Sequence, residues 1–169
     1  LALKVGTTSA GAKASASHTG SLAVDDAVFG AACTQTAFSI NAAAVIVPAF
    51  AVKLGDRKLA SGAEGLMDAL CYSMQPWPVI NMMLDVLAKC RAHPAYRAGN
   101  SFIAATVNKY GAKLMKLPAL AGYILSDRAM GASTPQVRAS GLEIVKAVFS
   151  QRGPALTSAL ESVGSDPDR

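Results

Sequence analysis

The chain has 169 residues, 51% of them hydrophobic and 16% charged, enough for one domain with a sizeable core and too apolar for a wholly disordered polypeptide. Its 16 Lys and Arg outnumber 11 Asp and Glu, leaving a net charge of +5 that suits an acidic partner without demanding one. Three scattered cysteines (Cys33, Cys71, Cys90), with no C-x-x-C pair and only two histidines, argue against a disulfide framework or a zinc site and for a reducing compartment.

Residues 1–23 are rich in Gly, Ala, Ser and Thr and read as a flexible or peripheral lead-in without a secretory pattern. Between Asp26 and Lys53 run 26 uncharged residues, a length that can cross a bilayer. Thr34, Gln35, Thr36, Ser39 and Asn41 interrupt that run and Pro48 follows, so it reads as two buried helices meeting at a polar turn, with no membrane span. From Val24 onward the apolar spacing is helical, with little strand alternation. It predicts helices at about 24–38, 42–54, 59–74, 78–91, 95–110, 117–130, 134–151 and 154–163. Thr134 reads as a helix cap with Pro135 at the first position, and Pro94 and Pro154 mark similar starts. Gly111, Gly131 and Gly153 read as helix stops. Asp25 and Asp26 diverge on a helix and read as an N-terminal charge pair.

The segment His93-Pro94-Ala95-Tyr96-Arg97-Ala98 aligns with Thr134-Pro135-Gln136-Val137-Arg138-Ala139 at an offset of 41. Gly111 and Leu114 align with Gly153 and Leu156 at an offset of 42, and Arg57 precedes Arg97 by 40. Asp166-Pro167-Asp168-Arg169 reads as the start of a further unit after four complete ones. One helix pair cannot bury its own apolar face, whereas stacked neighbours make a continuous core. The expected fold is therefore all-α, an α-solenoid of stacked HEAT-type helix pairs over residues 24–169.

In such a stack the turns within each pair fall along one edge, here at about 38–41, 75–78, 110–117 and 151–154. They carry Phe38, Ser39 and Ile40; Gln75, Pro76 and Trp77; Tyr110, Lys113 and Lys116; Gln151 and Arg152. Trp77, the one tryptophan, suits either an anchor for a partner or packing over the adjacent helix ends. From Val86 to Ser126 there is no Asp or Glu, while Lys89, Arg91, Arg97, Lys109, Lys113 and Lys116 all fall there, a local basic concentration able to steer a partner. Arg97 and Arg138, at the repeat-start position, are expected to hold neighbouring repeats together.

The run Val47-Pro48-Ala49-Phe50-Ala51-Val52-Lys53-Leu54-Gly55-Asp56-Arg57-Lys58 resembles the helix and turn of TOG domains, the tubulin-binding HEAT arrays of microtubule polymerases and CLASP-type proteins. So do His93-Pro94 with the helix to Lys109-Tyr110-Gly111, and Pro135-Gln136-Val137-Arg138 through Gly153-Pro154-Ala155-Leu156, in the family's order over about 24–165. The resemblance implies a non-catalytic binding module whose turns grip the αβ-tubulin dimer at a microtubule end. Carried over by position, the contacts are Trp77, Lys109, Lys113, Lys116 and Arg152, with Ser39 and Gln75 as polar partners. It further implies a monomeric domain of a larger cytoplasmic, cytoskeletal protein, with no cofactor, metal, membrane or nucleic acid. The array is shorter than is usual in the family, and the tryptophan that its first repeat supplies is not recognisable in residues 1–23. A general HEAT scaffold with another protein partner is the nearest alternative.

Residues 4–35, with Gly11-Ala12-Lys13-Ala14 and Ser17-His18-Thr19-Gly20-Ser21-Leu22-Ala23, resemble a segment of NDP-forming acyl-CoA synthetases. That likeness implies α/β domains and a phosphorylated histidine, for which His18 is the one candidate. It stops at Thr36, and no alternating strands or second domain follow. Gly6-x-x-x-x-Gly11-Ala12-Lys13 misses the phosphate-loop pattern because Ala12 displaces the lysine. The basic stretch has few aromatics interleaved for base stacking, Tyr96 and Tyr110 among them, which disfavours nucleic acid.

Overall fold

The computed structural model describes residues 39–165. Among these, α1 spans Ile40–Ala51 and runs into a 3-10 turn at Val52–Gly55. Next come α2 (Ala60–Met74), α3 (Pro76–Lys89) and α4 (His93–Tyr110), then a second 3-10 turn at Ala112–Leu114. The last three are α5 (Leu117–Leu125), α6 (Pro135–Arg152) and α7 (Pro154–Gly164). The described residues are helical throughout their regular structure and contain no strand. The expectations for the lead-in 1–23, the helix 24–38 with Asp25, Asp26 and Phe38, His18, Cys33 and the fragment Asp166–Arg169 lie outside the described residues.

The helix starts follow proline. Five helices, α3 to α7, carry it in their first turn, where the missing N–H removes no hydrogen bond. At α1, Ser39 supplies the cap instead, its hydroxyl accepting from the Asn41 N–H at 3.3 Å. Ala43, Val47 and Ala51, four residues apart, bury one stripe of α1. Pro48 lies inside this helix on its exposed side, and the α-helix closes at Ala51. Gly111 (φ 93°) and Gly153 (φ 45°) end α4 and α6 in the left-handed region, as their composition predicts.

Three boundary expectations need correction. The helix read to residue 130 stops at Leu125, because the Ser126 hydroxyl donates to the Tyr123 carbonyl at 2.6 Å and accepts from the Arg128 N–H at 3.2 Å. Gly131 is therefore no helix stop; it closes a turn back onto Ser126, its N–H 2.9 Å from that carbonyl. Thr134 sits at the cap position of α6 but makes no cap bond; its hydroxyl meets His93 Nδ1 at 3.3 Å.

The offset found by self-comparison is also the offset at which side chains meet. His93 touches Thr134, Asn100 Nδ2 donates to Ser140 Oγ at 3.1 Å, and Ser101 Oγ donates to Glu143 Oε2 at 3.1 Å. Gln151 Nε2 donates to the Val107 carbonyl at 3.1 Å. Contacts at the start, middle and end make α4 and α6 lie side by side and run the same way. α1 packs on α3, α5 on α7, and the first 3-10 turn on α4. At that last junction a Cβ on Gly55 would meet the Ala95 amide nitrogen at 2.7 Å, so the close approach needs glycine. Val47, Met67, Ile80, Met83, Leu87, Ile103, Leu120 and Ile144 share one continuous core.

A polar hub sits inside that core. Asn100, fully buried, donates to the Arg128 carbonyl at 3.0 Å and to Ser140, and accepts from Tyr123 OH at 2.8 Å. Burial pushes the Tyr123 phenol well above its usual range, so it remains a donor. One amide thus joins α4, α5, α6 and the loop between the last two.

Candidate functional site

The expected edge of turns comprises Ser39, Gln75, Trp77, Lys109, Lys113, Lys116 and Arg152. The structure brings part of this set together. α4 ends at Gly111, and the following turn is held against the end of α6 by one side chain. Gln151 Oε1 accepts from the Ala112 N–H at 2.7 Å while its Nε2 donates to Val107 O. The turn carrying Lys113 and Lys116 therefore abuts Gln151 and Arg152. Lys113 and Lys116 are exposed, Arg152 is half-buried, and none of the three pairs with a carboxylate among the described residues.

Lys109 behaves differently. Its Nζ lies 2.7 Å from one oxygen of Asp68 and 2.9 Å from the other, and Tyr110 OH donates to the same carboxylate at 3.0 Å. The Asp68 hydrogen bond holds the Lys109 ammonium above its usual range. Burial, then the Asp68 bond, pushes the Tyr110 phenol up to about 12. Lys109 thus faces α2, pairs with Asp68 and links α2 to α4.

Gln75 adopts φ 71°, the one non-glycine in the left-handed region among the described residues, and turns the chain from α2 into α3. The following Pro76 is buried and Trp77 is half-buried against the core. Trp77 packs against the core with part of its ring still accessible, which leaves both expected roles open to it. Asp68 ties this side of α2 to the end of α4, and the Gln75 turn lies about 10.5 Å further along at 1.5 Å per residue. Ser39 bonds to Asn41 and, among the described residues, to none of the other turns.

The six basic residues between Val86 and Ser126 do not form one patch. Lys89, Arg91 and Arg97 cluster where α4 begins, and Lys109, Lys113 and Lys116 where it ends. Even Arg97 and Lys109 stand about 18 Å apart along the helix, roughly twice the screening length at physiological salt. The hydrogen bonds of Arg138 stay within its own segment. Arg138 Nη1 donates to the Ala132 and Ser133 carbonyls at 2.7 and 2.8 Å, tying down the loop before its own helix. Arg97 is exposed beside His93, Thr134 and Gln136, in a shallow groove. The arginine that does reach across is Arg128, which donates to the Ala88 carbonyl at 3.1 Å, lies over the Tyr96 ring at 5.7 Å and pairs with Asp127.

No cluster of His, Cys, Asp or Glu among the described residues has the shape of a metal site. Burial raises the Cys71 thiol to about 12, far from a reactive thiolate. No helix among the described residues is long and apolar enough to cross a membrane.

Comparison with known proteins adds one finding at the opposite end of the chain. Residues 1–42 match the family described as succinyl-CoA ligase like flavodoxin domain. This accords with the acyl-CoA synthetase likeness over 4–35, and only residues 39–42 of the match fall within the described residues. No curated protein and no solved structure matches the chain. The TOG resemblance has no counterpart in these comparisons.

Proposed function

We propose that the helical body is a stack of HEAT-type pairs serving as a non-catalytic binding module, and that its row of turns holds an acidic protein surface. The αβ-tubulin dimer is the partner that the TOG resemblance implies, and a cytoskeletal location goes with it. The observation that supports this reading is the junction at Gln151, which sets the unpaired cations Lys113, Lys116 and Arg152 on adjoining turns of a rigid frame. Pre-ordered turns lose little entropy on docking, and exposed cations suit salt-sensitive capture.

The test is size-exclusion chromatography of the full chain with purified tubulin. Wild type is expected to co-elute at low salt. The double variant Lys113→Glu with Arg152→Glu is expected to elute separately while melting at the same temperature. Wild type eluting apart from tubulin overturns the tubulin reading, and co-elution of the charge-reversed variant overturns the edge.

The match over residues 1–42 favours a second reading, in which the N-terminal part derives from a CoA ligase and retains CoA recognition. Calorimetric titration with CoA, and phosphate transfer to His18, test it. Absence of both overturns it and leaves the first reading untouched.

A further inference from the structure

We infer that Gln151 is a positioning residue for the binding edge, a latch that sets the height of the Lys113–Lys116 turn against the end of α6; this inference rests on the edge reading above. The turn buries Ala112 and Met115 in the core, but its backbone is held only weakly by bonds of its own. It comprises three residues of 3-10 helix after a glycine at φ 93°, and the backbone bonds that close it, Leu114 N to Gly111 O at 3.4 Å and Met115 N to Ala112 O at 3.2 Å, are long. Ala112 is fully buried, so its N–H has no access to water and needs a protein acceptor. Gln151 Oε1 is that acceptor at 2.7 Å, the shortest bond in the turn.

The other end of the same amide closes the latch. Gln151 Nε2 donates to the Val107 carbonyl, which also receives the Gly111 N–H at 3.0 Å as α4 ends. A single planar group therefore reads both a carbonyl in the last turn of α4 and the first amide of the next turn. Rotation of the turn about Gly111 breaks one bond or the other. Glutamine is the fitted side chain, since it alone supplies an acceptor and a donor at the end of a two-carbon stem. Glutamate keeps the acceptor and turns the donor into a group that repels the Val107 carbonyl. Leucine approximates the shape and lacks both.

The Asp68 contact with Lys109 and Tyr110 is the corresponding link one repeat earlier, but it grips α4 itself and leaves the following turn free. Gln151 thus supplies the side-chain hydrogen bond that fixes the turn's backbone at Ala112, while Met115 and Leu117 seat the turn in the core.

The experiment compares the full-length chain with Gln151→Leu and Gln151→Glu by amide hydrogen exchange and by tubulin affinity. In Gln151→Leu the Ala112 amide is expected to exchange at least tenfold faster, with amides of Ile103 and Ile144 unchanged, and affinity is expected to fall three- to tenfold. Gln151→Glu is expected to restore most of the Ala112 protection and to recover part of the affinity. Unchanged exchange at Ala112 in the leucine variant overturns the latch. Faster exchange with undiminished affinity overturns its positioning role. If wild type shows no tubulin binding, the edge reading fails, and the exchange data still decide whether the latch exists.

Discussion

The α4–α6 junction and the outer side of α1 meet their surroundings in opposite ways. Along α4 and α6, residues one period apart touch at every level, and the fully buried Asn100 and Ile103 sit among neighbours from α5 and α6. α1 has no charged residue, yet Ile40 and Val45 are exposed, Val45 at 74%, as is Val52 just past its end. The energetic weight of a residue depends on how many neighbours its helix has among the described residues, and α4 has more than the outer side of α1. Similar aliphatic side chains should then behave very differently on the two sides.

The largest contrast is expected at Ile103. Ile103→Ala should destabilise the chain by about 3–4 kcal/mol in urea unfolding, since the cavity opens inside a packed core. A loss under 1 kcal/mol would mean that the junction is loose. Asn100→Leu should follow, at about 2–3 kcal/mol, because it leaves the Arg128 carbonyl and Tyr123 hydroxyl without their buried partner.

Alkaline pH should weaken the packed α2 face through Cys71. The unfolded thiol ionises near 9.0 and the folded one only near 12, so the folded state holds its proton longer. Stability from this group is complete below pH 9 and declines as pH rises toward 12, by at most about 1.4 kcal/mol per pH unit. Cys71→Ala should flatten that slope in urea midpoints measured across the range, and an unchanged slope would assign the decline to the tyrosines. Asp68→Asn should lower stability by less than about 1 kcal/mol, since the Lys109 pair is exposed. Val45→Ala on α1 should change it by no more than about 0.5 kcal/mol.

Much of the helical framework is legible in the amino-acid order because its punctuation is local. Pro94, Pro135 and Pro154 start helices, and Gly111 and Gly153 stop them, each through its own backbone preference. The early end of α5 is not legible, since it depends on the Ser126 hydroxyl capturing a carbonyl three residues back. Gln75 at positive φ is equally hidden, being a residue with no preference for that region.

The edge could be read as a set of turns but not as a set of free charges. Whether Lys109 is available depends on Asp68, which lies one period earlier and becomes its neighbour only when α2 and α4 are set side by side. Scanning for opposite charges at an offset of 41 would have found that pair. The two roles of Gln151 could not be found this way, because both of its partners are backbone groups.

Trp77 gives the molecule its own optical signal. As the sole indole, leaning half-covered on the core just past the Gln75 bend, it couples one chromophore to two events. Its emission should redden as the chain unravels and shift toward the blue when something covers its remaining open flank, so the two processes register with opposite sign in a single spectrum.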